Sequence, residues 1–432
     1  MMVAIALGFA MIPAAPAQTV PASLQAEIAE LVQQLGSRDY KEREKANKAL
    51  NAIGPKSLGA LKAALLASES PEVQRRLEVM IDKFRMELLT APTRVSVSAK
   101  NQQVKLVLKD ICKQAGYNLS EGIGPELKVT LELKDAPFWE VLEKVTAGTG
   151  IITSFQEDER HTLNAYMSNQ VNPYVDCGGP FRFIASNINT NRNLQLANMP
   201  LRGNQMHHQS EYLSLNVQFH AEPKCPVVSV GTAIATKAVD DLGGSLVMPK
   251  VEGQNLPEVR FYQNGMYRSL NQSVSMNLTR GDRRATTIKE LTGKVNLLLL
   301  SEIRPEVEIE KVLEPGKKKV AGQNVEFELG ELTEANGGYS AKVTFRQRNP
   351  NPNDYGWWGN IYQRLELHDE KGGKFQTNGM QEQNVGVGVV SMKIEFMAPE
   401  AKKLGKPFKL VLVEWVTVEK AFEFSFKEIP LP

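Results

Sequence analysis

Cysteine is scarce in this chain. There are three in 432 residues, Cys112, Cys177 and Cys225, with no CxxC spacing among them, which excludes a paired-thiolate zinc site and a dithiol redox motif. Histidine is nearly as sparse: His161, His207, His208, His220 and His368 are the full set, too few and too scattered for a site built on several imidazoles. No HExxH run, Walker loop or GxSxG elbow occurs. Gly386 and Gly388 lack the third glycine of a dinucleotide fingerprint, while Gly148 and Gly150 follow a helical segment, the wrong order for cradling phosphate. A surplus of one charge is missing too, with 51 basic against 49 acidic side chains and a formal net charge of +2, so bulk capture of nucleic acid or anionic lipid is not expected. Long apolar runs are absent after residue 17, the longest candidate being Leu297 to Leu300, against the roughly 18 to 20 residues of a membrane helix. No membrane span is expected in the mature chain.

What is present begins with residues 1–17, an apolar segment too short to span a bilayer that ends in Ala15, Pro16 and Ala17. That ending fits the small-x-small rule of signal peptidase, although basic residues are missing from its start. An exported protein, periplasmic or extracellular, is the expectation. In such a compartment Cys177 and Cys225, both in one β-rich region, are candidates for a disulfide. Cys112 falls on an apolar helical stripe and reads as a buried thiol.

The length favours two to four domains. Residues 18–90 read as short antiparallel helices. Leu24, Ile28, Leu31, Val32 and Leu35 share one face of a 3.6-residue helix, and the same offsets recur at Val73, Leu77, Met80, Ile81 and Phe84. Gly36 ends the first helix, and Ser70 with Pro71 opens the last. Arg38, Asp39, Tyr40, Arg43, Ala46, Leu50, Gly54 and Pro55, followed by Pro71, Glu72, Val73, Arg75 and Arg76, resemble HEAT-type helical repeats. One or two such units imply a cap or docking platform.

In residues 94–166 the apolar period switches repeatedly. Val95 and Val97 alternate as a strand; Val104, Val107, Leu108, Ile111 and Cys112 keep helical spacing up to Gly116; Val129, Leu131 and Leu133 alternate again; Phe138, Val141, Leu142 and Val145 form a second helical face. This β-α-β-β-α-β order resembles the short N-terminal domain of secretins and TonB-dependent receptors. The resemblance covers roughly 70 residues and implies a periplasmic module that contacts partner proteins. The gate or membrane barrel of that family has no counterpart in the rest of the sequence.

From residue 174 onward short alternating runs are separated by Gly, Pro, Asn and Asp clusters, the spacing of antiparallel sandwiches. A repeat is visible. Ser275 to Leu278 resembles Ser391 to Ile394, Leu291 to Lys294 resembles Leu404 to Pro407, and Asp240 with Gly243 and Gly244 resembles Asp369 with Gly372 and Gly373. Two tandem sandwiches, 174–315 and 316–432, are expected. The fold class is therefore multidomain α+β: a helical repeat unit, a small βαββαβ domain and two antiparallel β-sandwich domains.

Few residues invite chemistry. His207, His208 and Glu211 sit in an Asn- and Gln-rich stretch that reads as a solvated loop. The acid pairs Asp240 with Asp241 and Glu366 with Asp369 suggest glycoside hydrolysis or calcium, but their repeated place before Gly-Gly points to a hairpin turn; EF-hand spacing is missing, and calcium at these turns stays open. Tyr355, Trp357 and Trp358, set among Pro, Asn and Gly, offer flat faces to a sugar or a protein pocket, the alternative being that a Trp plugs its own domain. No catalytic residue, cofactor or metal ligand is expected. The favoured reading is a non-enzymatic cell-envelope scaffold that binds envelope proteins through 94–166. The rivals are a carbohydrate-binding protein using Tyr355, Trp357 and Trp358, and a hydrolase using the turn carboxylates.

Overall fold

A computed structural model of the chain describes residues 22–156, 161–169, 172–194, 209–249, 268–335, 337–350, 361–399 and 403–432. The expected leader, residues 1–17, lies outside them. The protein mixes helix and strand, is mostly β, and divides into two compact units: residues up to 153 with 158–168, and 154–157 with 169–432.

The first unit opens with four helices, α1 (Ala22–Leu35), α2 (Tyr40–Ile53), α3 (Leu58–Ala67) and α4 (Pro71–Thr90). Asp39 caps α2 by accepting from the Lys41 N–H at 2.9 Å, and Gly54, at φ 69°, ends it with a bond to the Leu50 carbonyl. The apolar stripes meet in one core holding Ile28, Leu35, Leu50, Leu61, Leu77, Ile81 and Phe84. Burying such stripes, at about 25 cal/mol per Å² of apolar surface, is what holds helices this short in place.

The unit continues with β1 (Arg94–Gln103), α5 (Val104–Ala115), β2 (Asn118–Gly122), β3 (Lys128–Pro137), α6 (Phe138–Thr146), β4 (Ile151–Phe155) and β5 (Thr162–Met167). β1 and β3 form an antiparallel ribbon, while β2, β5 and β4 form a second sheet in that order, with β2 parallel to β5. Gly116 closes α5 in the left-handed region at φ 76°, a conformation that favours glycine. Val107, Leu108 and Ile111 of α5 and Phe138, Val141 and Leu142 of α6 are buried, and the Tyr117 ring meets Phe138 edge-on at 5.2 Å.

The second unit holds β6 (Val175–Gly178), β7 (Phe181–Leu194), β8 (Gln209–Ala221), β9 (Val227–Asp240), β10 (Asn271–Thr279), β11 (Thr287–Glu310), β12 (Lys318–Ala321), β13 (Val325–Ala335) and β14 (Gly338–Gln347). A short helix, α7 (Ile361–Arg364), precedes β15 (Leu365–Asp369), β16 (Gln376–Gly386), β17 (Val389–Met397) and β18 (Pro407–Pro430). One sheet runs β15-β18-β11-β9-β10-β8-β7-β6 and another β12-β13-β14-β17-β16.

The 24-residue strands β11 and β18 pair antiparallel from Thr287 opposite Pro430 to Glu310 opposite Lys409. They carry one sheet across the boundary expected at 315/316. The first half of β18, with β15 and the end of β11, packs on the five-stranded sheet through Val307, Phe327, Val343, Leu367, Ile394 and Leu410. The second half turns Phe422 and Phe424 onto Phe181 and Phe183, with ring centroids 4.5 and 5.1 Å apart. β7 is not next to β18 in the strand order, so the eight-stranded sheet curls until its β6 end faces β18. There Asp176 Oδ2 accepts from the Ser425 N–H at 2.7 Å.

The like segments Ser275 to Leu278 and Ser391 to Ile394 lie on β10 and β17, which end the runs β6-β7-β8-β10 and β12-β13-β14-β17. The register of the expected repeat differs at one place. Asp240 pairs with Ile288 and Asp369 with Pro407, so Ile288, and not Lys294, corresponds to Pro407. The Gly-Lys likeness misaligns the strands because Gly293 lies inside β11 beneath the Phe424 ring, whereas Gly405 lies in the loop before β18. Among the described residues no helix is long and apolar enough to cross a membrane.

Candidate functional site

The two acid-Gly-Gly segments fold into the same turn. After β15, Asp369 Oδ1 accepts from the N–H groups of Lys371 at 3.0 Å and Gly373 at 2.6 Å. After β9, Asp240 Oδ1 accepts from Leu242 at 3.0 Å and Gly244 at 2.6 Å. Gly372 and Gly243 take φ 79° and 84°, which a side chain would strain. The glycines that follow leave room for the carboxylate: a Cβ on Gly373 would stand 2.9 Å from Asp369 Oδ2, and one on Gly244 2.7 Å from Asp240 Oδ2.

The turns differ at the second oxygen. Asp369 Oδ2 accepts from the Gly405 N–H at 2.9 Å, and that bond, with the Gly373 and Lys371 N–H groups, holds the carboxyl below the ordinary carboxylate range against the opposing effect of desolvation. Asp240 is fully buried, and its Oδ2 is shut off from solvent without a hydrogen-bond partner. Asp241 binds the next loop instead. Its carboxylate accepts from the Thr286 hydroxyl at 2.8 Å, which lowers its pKa. A carboxylate ringed by backbone N–H groups acts as an anionic anchor for a turn and is poorly placed to deliver a proton.

Beside the second turn, Glu366 and His368 share one face of β15, with His368 Nε2 3.0 Å from Glu366 Oε2 and Lys374 Nζ 2.7 Å from Oε1. Desolvation is the largest single influence on Glu366 and raises its pKa. The bonds and charges of His368 and Lys374 together outweigh it and bring the carboxyl down to about 2.

A third polar group was not legible in the sequence. Arg182 on β7, His220 on β8 and Asn271 on β10 lie side by side across three strands, with His220 Nδ1 2.7 Å from Asn271 Oδ1. Burial first and the Arg182 charge second push the imidazole down to about 4, partly opposed by the Asn271 bond. Residues so far apart in sequence leave no local motif; only strand register brings them together.

Other expectations resolve as follows. Cys177 and Cys225, considered as a disulfide, are not joined to each other, and Cys112 is in no disulfide either. Burial pushes Cys112 up to about 12 and raises Cys225 further, so both are held as inert thiols. Glu211 pairs with Arg283 at 2.6 Å. Its expected companions His207 and His208 lie outside the described residues, as do Tyr355, Trp357 and Trp358. Among the described residues no group of three or more His, Cys, Asp or Glu is arranged to hold a metal ion. No protein-family model matches the chain, and no curated protein matches it.

Proposed function

We propose that the protein is an exported, non-enzymatic scaffold of the cell envelope that binds other proteins. In this reading residues 18–90 are a HEAT-like platform, residues 94–166 a module like the short N-terminal domain of secretins and TonB-dependent receptors, and the two C-terminal sandwich-type repeats act as spacer or adhesive modules. The observation that carries it is the β1–β3 ribbon. Its two strands pair only with each other among the described residues. On β1 the Gln114 side chain already binds the Ser96 N–H and carbonyl, so β3 is the strand whose outer edge can accept a further strand through main-chain hydrogen bonds. The acids of the second unit support it as well, because Asp369 and Glu366 are engaged by backbone N–H groups and ion pairs.

The experiment is capture from envelope extracts on the full chain, on a chain lacking residues 94–166, and on Glu132→Pro, which blunts the ribbon's β3 strand. The reading expects proteins retained by the first and lost by the other two. Identical sets on all three would end it.

A further inference from the structure

The outward side of β7, β8 and β10 carries an uncharged lattice of amides and hydroxyls. Strand register sets Asn187, Asn216 and Ser275 in one row and Asn189, Ser214 and Asn277 in the next. Asn191, Tyr212 and Thr279 form a third. The alternate residues Leu213, Leu215 and Val217, with Val274, Met276 and Leu278, point into the core, and the three β7 asparagines, Ser275, Asn277 and Tyr212 are exposed. Rows two residues apart lie roughly 7 Å from one another and strands about 4.8 Å apart, giving a face of about 14 by 10 Å, the size of a short run of sugar rings.

An ordinary solvent-facing sheet side is the rival explanation, and the molecule contains its own control. In the matching strands of the second repeat the same side holds Glu328, Thr344 and Ser391 in one row and Glu331, Lys342 and Lys393 in the next. A neighbouring pair on that sheet, Lys319 and Glu326, is joined at 2.7 Å. One architecture thus carries a charged face in one copy and a neutral one in the other, so the strand order itself does not require the absence of charge. On the central strand, in the first row of the neutral face, Asn216 Oδ1 lies shut off from solvent with no hydrogen-bond partner, an acceptor that rotation of its carboxamide would turn outward.

We propose that this face binds an uncharged, hydroxyl-rich polysaccharide. Each amide supplies both donor and acceptor, as each sugar hydroxyl does, and a neutral ligand strips no buried charge of its water. The Tyr212 ring, 40% exposed, offers an apolar plane for the C–H side of a sugar. A protein partner fits less well, because the centres of protein interfaces favour aromatic residues, Met and Arg and are depleted in Ser. The face is built from β7, β8 and β10 and includes none of Tyr355, Trp357 and Trp358 and no residue of 94–166.

The test is affinity electrophoresis of the full chain through gels containing hydroxyethyl cellulose, galactomannan or soluble β-glucan, with and without about 0.5 M NaCl, where screening is strong. The wild type is expected to be retarded in at least one gel, equally with salt. Asn189→Lys with Asn277→Lys is expected to weaken binding by about tenfold or more, and Ser214→Ala by a few-fold. Lys342→Asn, on the charged face of the second repeat, is expected to change nothing. Migration unretarded in all three gels overturns the proposal, as does retardation abolished by salt, retardation kept by the double lysine variant, or loss confined to Trp357→Ala with Trp358→Ala. Because purified glycan replaces any protein partner, failure here leaves the envelope-capture result standing on its own.

Discussion

The Gly405 N–H donates to Asp369 Oδ2 at 2.9 Å and so fastens the turn after β15 to the loop that feeds β18. Its counterpart in the first repeat, Asp240, makes the same turn with its other oxygen but leaves Oδ2 without a partner. Two turns of one design therefore carry unequal loads.

Replacement by asparagine separates them. Asp369→Asn sets an amide or a neutral oxygen against the Gly405 N–H and is expected to cost about 1.5 to 3 kcal/mol, the range for hydrogen bonds to a charged group. Asp240→Asn keeps the Oδ1 bonds, leaves no partner stranded at the second atom, and is expected to cost less. Urea unfolding of the two variants measures the order; an Asp240→Asn loss equal to or larger than that of Asp369→Asn would contradict the assignment.

Acid sensitivity should centre on Glu366. Its folded pKa lies near 2 against an ordinary 4.5, so the folded state binds fewer protons than the unfolded one between these values. Its contribution, on the order of 3 kcal/mol, is present above about pH 4.5 and lost as pH falls toward 2. Glu366→Gln is expected to flatten the stability profile across that window, and a profile of unchanged slope would refute the role given to His368 and Lys374.

His220 titrates in the same direction for a different reason. Its pKa falls from 6.5 to about 4, so the folded chain favours the neutral ring, and stability declines as pH drops from about 6.5 to 4. In NMR the His220 ring is expected to stay neutral at pH 5.5, where a solvated histidine is mostly charged. A midpoint above 6 would show that the ring is not desolvated as described.

Gly293 lies opposite Phe424 on β18, and a Cβ there would stand 2.4 Å from the ring. Gly293→Val is expected to displace the ring from its stack on Phe183 and to cost about 1 to 3 kcal/mol, as overpacking of a filled core does. Thermal unfolding gives the value; a melting point matching that of the wild type would mean that the ring moves freely.

Thiol labelling separates the cysteines. Cys177 is half-buried whereas Cys112 and Cys225 are buried, so a native-state thiol reagent is expected to modify Cys177 first and the other two only on unfolding. A native chain in which Cys177 does not react but reduction releases two thiols would reinstate the disulfide.

How much of this the sequence discloses depends on the distance over which each feature is decided. The faces of α1 and α4 are legible because Ile28 and Leu35, or Leu77 and Phe84, are spaced by helix geometry itself, and those side chains are buried as their spacing implies. The acid turns are legible for the same reason: Asp369 reaches Gly373 over four residues, and Gly372 supplies the positive φ. The match of Leu291 to Lys294 with Leu404 to Pro407 fails because composition does not record whether a glycine sits under a ring or in a loop. Also outside local reach are the Arg182, His220 and Asn271 row and the asparagine lattice, since β8 and β10 are 50 residues apart from Ala221 to Asn271.

The sequence alone therefore determined the local periods, the helix ends, the turns and the scarcity of reactive groups, all set within a few bonds along the chain. Only tertiary structure decided that β11 and β18 share one sheet across both repeats, that the sheet curls until Phe183 stacks on Phe424, and which polar side chains line a common face. Those outcomes rest on strand register, in which a slip of a single residue would turn every side chain to the opposite face.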